Sequence, residues 1–308
     1  MSEPVVVPRV EAQVHLVAAM NDVSVSVVIP NWNGQRFLGE CLESVFDQDF
    51  DAFEVILVEN GSTDGSAEWV SDRFPDVRII RNRSNLGFAR AVNQGFEAAR
   101  GFYCVALNND TRVAPGWLRN LIAPLDRDAR IGAVCSRVVF YHDPGLIYNA
   151  GIRLTALGEP RNLGFGEPVG RYDVSRRVDG ACACSAAYRK EALERVGFFD
   201  ERFFCYHEDV DLSWRLRKDD WQIVYAPDSV VYHHGSGATR PLSHFARRHS
   251  AKNLLLMNLK NGSPLQMLVH AATCAFRYGG ALRDPSCIRQ TLRLAPVVLM
   301  ERLMRRRS

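Results

Sequence analysis

The chain has 308 residues, 47% hydrophobic and 24% charged, with a formal net charge of +3. That balance excludes a disordered or fibrous protein, and a chain this long buries a core without disulfides or a structural metal. The charge is unevenly placed: from Arg240 onward thirteen Lys and Arg face only Asp284 and Glu301, so that segment carries +11 and the remainder −8. A basic tail on an acidic body points to an anionic partner. The eight cysteines lie mostly inside apolar runs with no C-x-x-C pair. They read as reduced, buried thiols of a cytosolic protein, not as a disulfide framework or zinc site. The longest nearly apolar stretch, Pro264 to Phe276, is interrupted by Gln266 and His270 and falls short of the ~20 residues a membrane span needs. Residues 1–22, with Glu3 and two prolines, make a poor signal peptide and read as a flexible leader.

In chain order, Ser24 to Pro30 is a β-branched strand run, and Gln35 to Phe46 places apolar residues at helical spacing. Phe53 to Val58 is a second strand, Thr63 to Phe74 a helix and Val77 to Arg81 a third strand. Phe88 to Arg100 is a helix with Phe88, Val92 and Phe96 on one stripe, and Phe102 to Leu107 is a fourth strand. Strands separated by helices predict an α/β fold with a mostly parallel, Rossmann-like sheet covered on both faces. Ligands then bind at the carboxyl ends of the strands. Further on, Ile131 to Tyr141 reads as strand, residues 143–179 as loop-rich, Cys182 to Tyr188 as strand and Arg189 to Val196 as helix. Glu208 to Lys218 reads as helix, Trp221 to Ala226 and Val230 to His234 as two strands, and the chain beyond Pro241 as long helices.

The residues that follow the first four strands share a character. They are Asn31-Trp32-Asn33-Gly34, then Glu59-Asn60-Gly61-Ser62-Thr63-Asp64-Gly65, then Asn82 to Gly87, then Asn108-Asn109-Asp110. Gly and Asn are ordinary turn residues in any one loop. In succession, with the last ending in an acid, they describe a site for a polar ligand.

These segments, with GFFDERFFCYHEDVDLSWRL from Gly197 and VYHHGSGAT from Val231, resemble the inverting glycosyltransferases of family 2. That family has the GT-A fold, and the chain is most similar to the rhamnosyltransferase-like branch acting on lipid-linked or cell-wall glycans. The motifs run from Ser24 to Thr239 in the family's order. The resemblance implies a catalytic domain over residues 23–240, with a nucleotide-sugar half (about 23–112) and an acceptor half (about 113–240). A basic amphipathic helical tail, 241–308, follows. It also implies a nucleoside diphosphate sugar donor, with Pro30, Asn31 and Asn33 lining the nucleotide pocket and Asn60 beside them. Glu59 stands where many relatives have Asp and would accept a hydrogen bond from the base. Asn85, Gly87 and Phe88 open a helix whose N-terminus, with Asn93 on its first turns, suits a diphosphate.

Asn108-Asn109-Asp110 stands where the family has its Asp-x-Asp, so only Asp110 offers a carboxylate to a divalent metal, Mn²⁺ or Mg²⁺. His233 is the candidate second ligand, with His234 as the alternative, and imidazole suits Mn²⁺ better than Mg²⁺. The resemblance assigns the general base to the second acid of Glu208-Asp209. The helix N-terminus favours a charged acid there, and two adjacent acids titrate as a pair. Asp211 lies about 200° round the helix from Asp209 and is expected to orient Arg215. Trp214 reads as core, and Asp179-Gly180 as a border of the acceptor cleft.

Apolar and cationic residues mix along Phe245 to Leu259 and Ile288 to Arg307, which suits a bilayer surface and a polyprenyl-linked acceptor. The expected location is therefore peripheral, on the inner face of the cytoplasmic membrane; a helical cap on the catalytic domain is the other reading of the same pattern. No nucleic-acid motif is present. A non-catalytic binding protein on this fold and a sugar-1-phosphate nucleotidylyltransferase are the rival readings. The latter should carry a glycine-rich, lysine-bearing loop after the first strand, which Asn31 to Gly34 is not.

Overall fold

The computed structural model describes residues 23–235, 243–267 and 285–305. The expected leader, Arg240 and the terminal Arg306 and Arg307 lie outside these residues. The first half alternates as the apolar spacing dictates: β1 (Val25–Asn31), α1 (Gln35–Phe46), β2 (Phe53–Asn60), α2 (Ser66–Arg73), β3 (Arg78–Asn82), α3 (Phe88–Ala98) and β4 (Tyr103–Leu107). β1 lies between β2 and β4, and all four strands are parallel. β1 is buried on both sides: Val25, Val27 and Ile29 pack with Leu38, Cys41 and Leu42 of α1, while Val28 packs with Val92 and Phe96 of α3. That two-sided burial explains the uninterrupted apolar run.

Between Asp110 and Ile131, where the sequence reading assigns no element, stand β5 (Thr111–Val113) and α4 (Trp117–Arg127). The helix buries Trp117, Leu118, Leu121, Ile122 and Leu125. That spacing is helical, and Pro124 in the last turn masks it to a reader who takes proline as a stop. β6 (Ile131–Phe140) follows. The loop-rich stretch contains short strands β7 (Ile147–Asn149), β8 (Ile152–Leu154), β9 (Pro160–Asn162) and β10 (Arg176–Arg177). Next come β11 (Ser185–Arg189), α5 (Lys190–Val196), α6 (Glu208–Lys218) and β12 (Gln222–His233). β12 unites the two expected strands through an irregularity between Ala226 and Val230; Pro227, lacking an N–H, sits in that break. Cys182 precedes β11 and is not part of it.

The main sheet runs β10-β12-β6-β11-β4-β1-β2-β3. β11 is antiparallel to both β4 and β6, and β12 is parallel to β6. The sheet is thus mixed and mostly parallel, as expected. α7 (His244–Asn261) and α8 (Pro285–Arg305) complete the described chain.

Among the described residues, α7 and α8 pack on the rest of the fold, in keeping with the helical-cap reading of this segment. Leu254, Leu256 and Met257 of α7 and Val298 of α8 share an apolar cluster with Phe203 and Val210. Several expected surface cations turn inward as well. Lys252 Nζ donates to Arg202 O (3.0 Å), Lys260 Nζ to Asp200 and Asp211 (2.7 and 2.8 Å), and Arg302 to the carbonyls of Leu259 and Gly262.

Candidate active site

A cavity of about 970 Å³ opens at the carboxyl ends of β1, β2 and β4. Pro30, Asn31, Asn60, Asn85, Gly87 and Phe88 line one side of it. Asn108, Asn109 and Asp110 continue that wall, and Glu208, Asp209 and His233 face it. Most of the predicted site residues therefore meet around one cleft, although they come from strand ends far apart in sequence.

The wall at the strand ends is a lattice of amides. Asn109 Nδ2 donates to Asn31 Oδ1 (2.6 Å), and Asn60 Nδ2 to Asn85 Oδ1 (3.0 Å). Gly34 permits this closeness, since a Cβ there would lie 2.0 Å from Asn109 Nδ2 and 2.5 Å from Asn31 Oδ1.

Three predicted residues do not line the cavity. Glu59 is 4% exposed, and its carboxylate accepts from Asn31 Nδ2 (2.7 Å), Ser66 Oγ (2.8 Å), Ser62 N (3.0 Å) and the Ser62 hydroxyl. A buried carboxylate needs such donors. They occupy the acceptor positions expected to read a base, so Asn31, held by Glu59, is what faces the cavity. Asn93 ties α3 to the segment before Glu201, donating to Phe199 O (2.8 Å) and accepting from Phe199 N (3.0 Å). Asn33 is exposed and accepts from Thr63 N (2.8 Å).

The start of α3 is also less open than expected for a diphosphate. Gly87 N donates to Asn85 Oδ1 (2.9 Å) and Ala89 N to Phe204 O (3.1 Å). Gly87, at φ +90°, is required here: a Cβ would lie 2.6 Å from Phe204 O.

β12 pairs with β5 so that His233 opposes Thr111. That register brings His233 Nε2 to 3.2 Å from Asp110 Oδ1, with both side chains 6% exposed. Asn108 Nδ2 lies 3.4 Å from the same nitrogen. His233 Nδ1 is buried and has no hydrogen-bond partner. His234 points elsewhere, stacking on Tyr141 at 3.7 Å, so His233 is the histidine beside Asp110. Among the described residues no group of three or more His, Cys, Asp or Glu gathers to hold a metal.

Glu208 and Asp209 open α6, preceded by His207 at φ +66°. Burial pushes the Asp209 carboxyl up, while N–H groups of Ala183 (3.2 Å) and Val210 (2.8 Å) oppose that by donating to it. Burial and the neighbouring Asp209 charge push Glu208 up much further, and Glu208 Oε2 has no partner. The two environments differ in one respect: backbone N–H donors favour the ionised form of Asp209, and Glu208 Oε2 has no such donor.

Asp211, two residues on, faces away from the cavity as expected. It accepts from Arg215 Nε (2.9 Å), Lys260 Nζ (2.8 Å) and Asn261 Nδ2 (2.6 Å). Burial alone would raise its pKa, but the Arg215 and Lys260 charges hold it low. Trp214 is partly buried against the apolar cluster of α7. Asp179 does not border the cleft; it accepts from Leu154 N (2.9 Å) and pairs with Arg217 (3.2 Å).

The sequence reading missed Tyr148, Phe204 and, from α7, Phe245 and Ser250, all on the cavity wall. Only Phe204 had a signal, its place beside the HEDVD motif. The six described cysteines are free, and burial pushes Cys41 and Cys135 up to about 12, so they are unreactive thiols.

Comparison with known proteins identifies the family. The family model for glycosyl transferase family 2 matches residues 26–197. The N-acetylglucosaminyl-diphospho-decaprenol L-rhamnosyltransferase of Mycobacterium tuberculosis is 30% identical over 272 residues, covering 78% of this chain and 84% of that protein. A poly-beta-1,6-N-acetyl-D-glucosamine synthase of Staphylococcus epidermidis is 24% identical over 68% of this chain and 49% of its own length. Among solved structures, a mannosyltransferase from Pyrobaculum calidifontis in complex with GDP-Man and Mn²⁺ superposes with a TM-score of 0.57 at 20% identity, covering 93% of this chain and 83% of its own. S. aureus TarS 1–349 does so with a TM-score of 0.53 at 14% identity, covering 91% and 89%. The matched span holds the amide wall through Asp110 and stops short of Glu208, yet the long alignment to the mycobacterial relative carries the likeness across most of the chain. With a GT-A sheet and a cleft at its strand ends, the chain belongs to glycosyltransferase family 2 and is a glycosyltransferase.

Proposed function

We propose that the enzyme transfers a deoxyhexose, rhamnose from a dTDP donor, with inversion, to a hydroxyl of a polyprenyl-diphosphate-linked N-acetylhexosamine. The observation that carries the reading is geometric: at the start of α6 the Asp209 carboxyl is held by two backbone N–H groups on the wall that faces the amide lattice. The acceptor hydroxyl gives its proton to Asp209 as its oxygen attacks the anomeric carbon. The bond from that carbon to the diphosphate breaks, and the nucleoside diphosphate leaves. The sugar and acceptor rest on the name of the mycobacterial relative.

Asp110 and His233 are the residues that would hold a divalent cation. A buried carboxylate oxygen and an imidazole nitrogen converge at 3.2 Å on the cavity side, a donor set that fits Mn²⁺ with the substrate diphosphate supplying further oxygens. Such an ion neutralises charge on the leaving diphosphate. Holding the donor in line is left to Asn31, Asn60 and the Asn108–Asp110 loop.

The same reading places the enzyme against a membrane surface. No helix of the described residues is long and apolar enough to cross a membrane. α8 packs Leu294 and Val298 inward and exposes Leu292, Met300 and Met304 at 68%, 62% and 64%. Arg289 and Arg293 are exposed beside them, an outward apolar and cationic stripe that suits an anionic bilayer.

The test is turnover and thermal shift with dTDP-rhamnose, UDP-N-acetylglucosamine and GDP-mannose, in Mn²⁺, Mg²⁺ or EDTA, using a decaprenyl-diphosphate N-acetylglucosamine acceptor. A ligand that binds only the folded form raises stability. The expected result is a metal-dependent shift and product with dTDP-rhamnose alone. Product from another donor, or equal turnover in EDTA, overturns the sugar or the metal assignment respectively.

A further inference from the structure

The segment that delivers the two acids to the cleft is held in an unfavourable backbone conformation. Phe204, Tyr206 and His207 have φ of +65°, +72° and +66°, a region that side-chain-bearing residues adopt only when the surroundings impose it. α7 supplies that constraint. Asn253, fully buried, points its amide nitrogen at three consecutive-turn carbonyls, those of Phe203 (2.8 Å), Cys205 (2.8 Å) and Tyr206 (2.7 Å). The fourth carbonyl of the loop, Phe204 O, accepts from Ala89 N at the start of α3. Two N–H bonds shared among three carbonyls make a site that accepts an amide and rejects a carboxylate.

We propose that Asn253 is a positioning residue for the transfer reaction: it clamps the Phe203–His207 loop so that Asp209 is aimed into the cleft and Phe204 stays seated on the donor-side helix α3. The clamp lies on a helix beyond the span matched by the family model, and its one side chain reaches three of the loop's carbonyls at once. Phe204 connects the two walls, since its carbonyl caps α3 and its ring packs on Phe245 and His249 of α7 (6.0 and 5.4 Å between ring centroids). The buried ion cluster of Asp200, Asp211, Arg202, Arg215 and Lys260 anchors α7 on α6. Asn253 therefore works from a fixed base, and its role is confined to the loop. A misplacement of about 1 Å of a reacting group costs roughly 10²-fold in rate.

The turnover arm of the test rests on the function proposed above; the exchange arm does not. In the wild-type chain, the Phe203 and Phe204 amides, which donate to Asp200 O and Glu201 O, should be protected from exchange, and fast exchange at both overturns the clamp outright. In Asn253→Ala and Asn253→Asp, exchange should accelerate over 203–207 while β1 and β4 stay protected. kcat should fall about 10- to 100-fold with dTDP affinity unchanged, and Asn253→Asp should be the worse of the two. If Asn253→Ala does not fold, Asn253→Gln, which keeps the amide one methylene further out, is the second variant and should show the same split. Unchanged exchange over the loop, an unchanged kcat, or a loss that follows donor affinity or the folded fraction overturns the proposal. A wild-type enzyme that makes no product with this donor and acceptor defeats the function reading, while the exchange result still decides the clamp.

Discussion

The two walls of the cleft are held by different forces. The wall at the strand ends, proposed to take the donor, consists of neutral amides, Asn31, Asn60, Asn108 and Asn109, placed there by a parallel sheet whose strands stop together. The α6 wall, proposed to take the acceptor, rests on buried charge: Asp211 meets Arg215, Lys260 and Asn261, and Arg215 reaches the carbonyls of Val196, Gly197 and Phe198. An amide lattice is soft, since each hydrogen bond contributes about 0.5–1.5 kcal/mol net. A buried ion cluster is brittle, because removing one partner strands the others. The comparison implies that substitutions in the first wall change substrate choice, and those in the second change stability and aim.

The largest effect should come from Asp209→Asn. General base catalysis contributes typically 10²–10⁴-fold, so kcat should fall by about that factor with dTDP binding intact; equal turnover would remove Asp209 as the base. In the wild type, kcat should fall as pH drops through the Asp209 pKa. Burial raises that pKa, so the acid limb should lie above the ordinary aspartate value of about 3.9. A limb at or below that value contradicts the burial argument.

Next in size is Asp211→Ala. It leaves Arg215 and Lys260 without their carboxylate and should cost about 3–5 kcal/mol of stability in urea melts, whereas Asn60→Ala should cost far less. A small loss for Asp211→Ala would erase the distinction between the walls. The same cluster sets acid stability. Burial opposes ionisation of Asp200 and Asp211, but their Arg and Lys partners hold both carboxyls low. Their contribution is therefore present above about pH 4 and lost as pH falls through the depressed folded values. Urea midpoints should drop across that window, and Asp211→Ala should flatten the drop.

Asp110→Asn tests the metal reading. It should abolish the Mn²⁺-dependent part of the thermal shift with dTDP while leaving the metal-free melting temperature nearly unchanged, and a retained Mn²⁺ response would free the site from Asp110. The smallest effect is expected on α8. Arg289→Glu with Arg293→Glu should weaken binding to phosphatidylserine vesicles by about 1 kcal/mol per removed cation, measured by sedimentation, without changing turnover on a detergent-solubilised acceptor. Unchanged vesicle binding would assign the stripe to some other contact.

The sequence by itself determined the parallel half of the sheet and the loops at its strand ends. An apolar run buried on both faces reads the same in one dimension as in three, and loops that follow successive parallel strands converge by topology, so Asn31, Asn60 and Asp110 were legible as neighbours. The HEDVD motif likewise announced the start of α6, and the i, i+4 spacing announced the Asp211–Arg215 pair. What only the tertiary structure decided depends on pairs distant in sequence. His233 rather than His234 faces Asp110 because β12 pairs with β5 in one register, and a slip of one residue reverses the face. Glu59 and Asn93 are polar residues near the site in sequence, yet the buried donors and carbonyls around them turn both away from the cleft. α7 reads as a weakly patterned basic helix because its inward side is polar: Asn253, Lys260 and Asn261 are buried against carbonyls and carboxylates of another segment. Helical periodicity records where apolar side chains face, and it is silent about a buried face satisfied by hydrogen bonds and ion pairs.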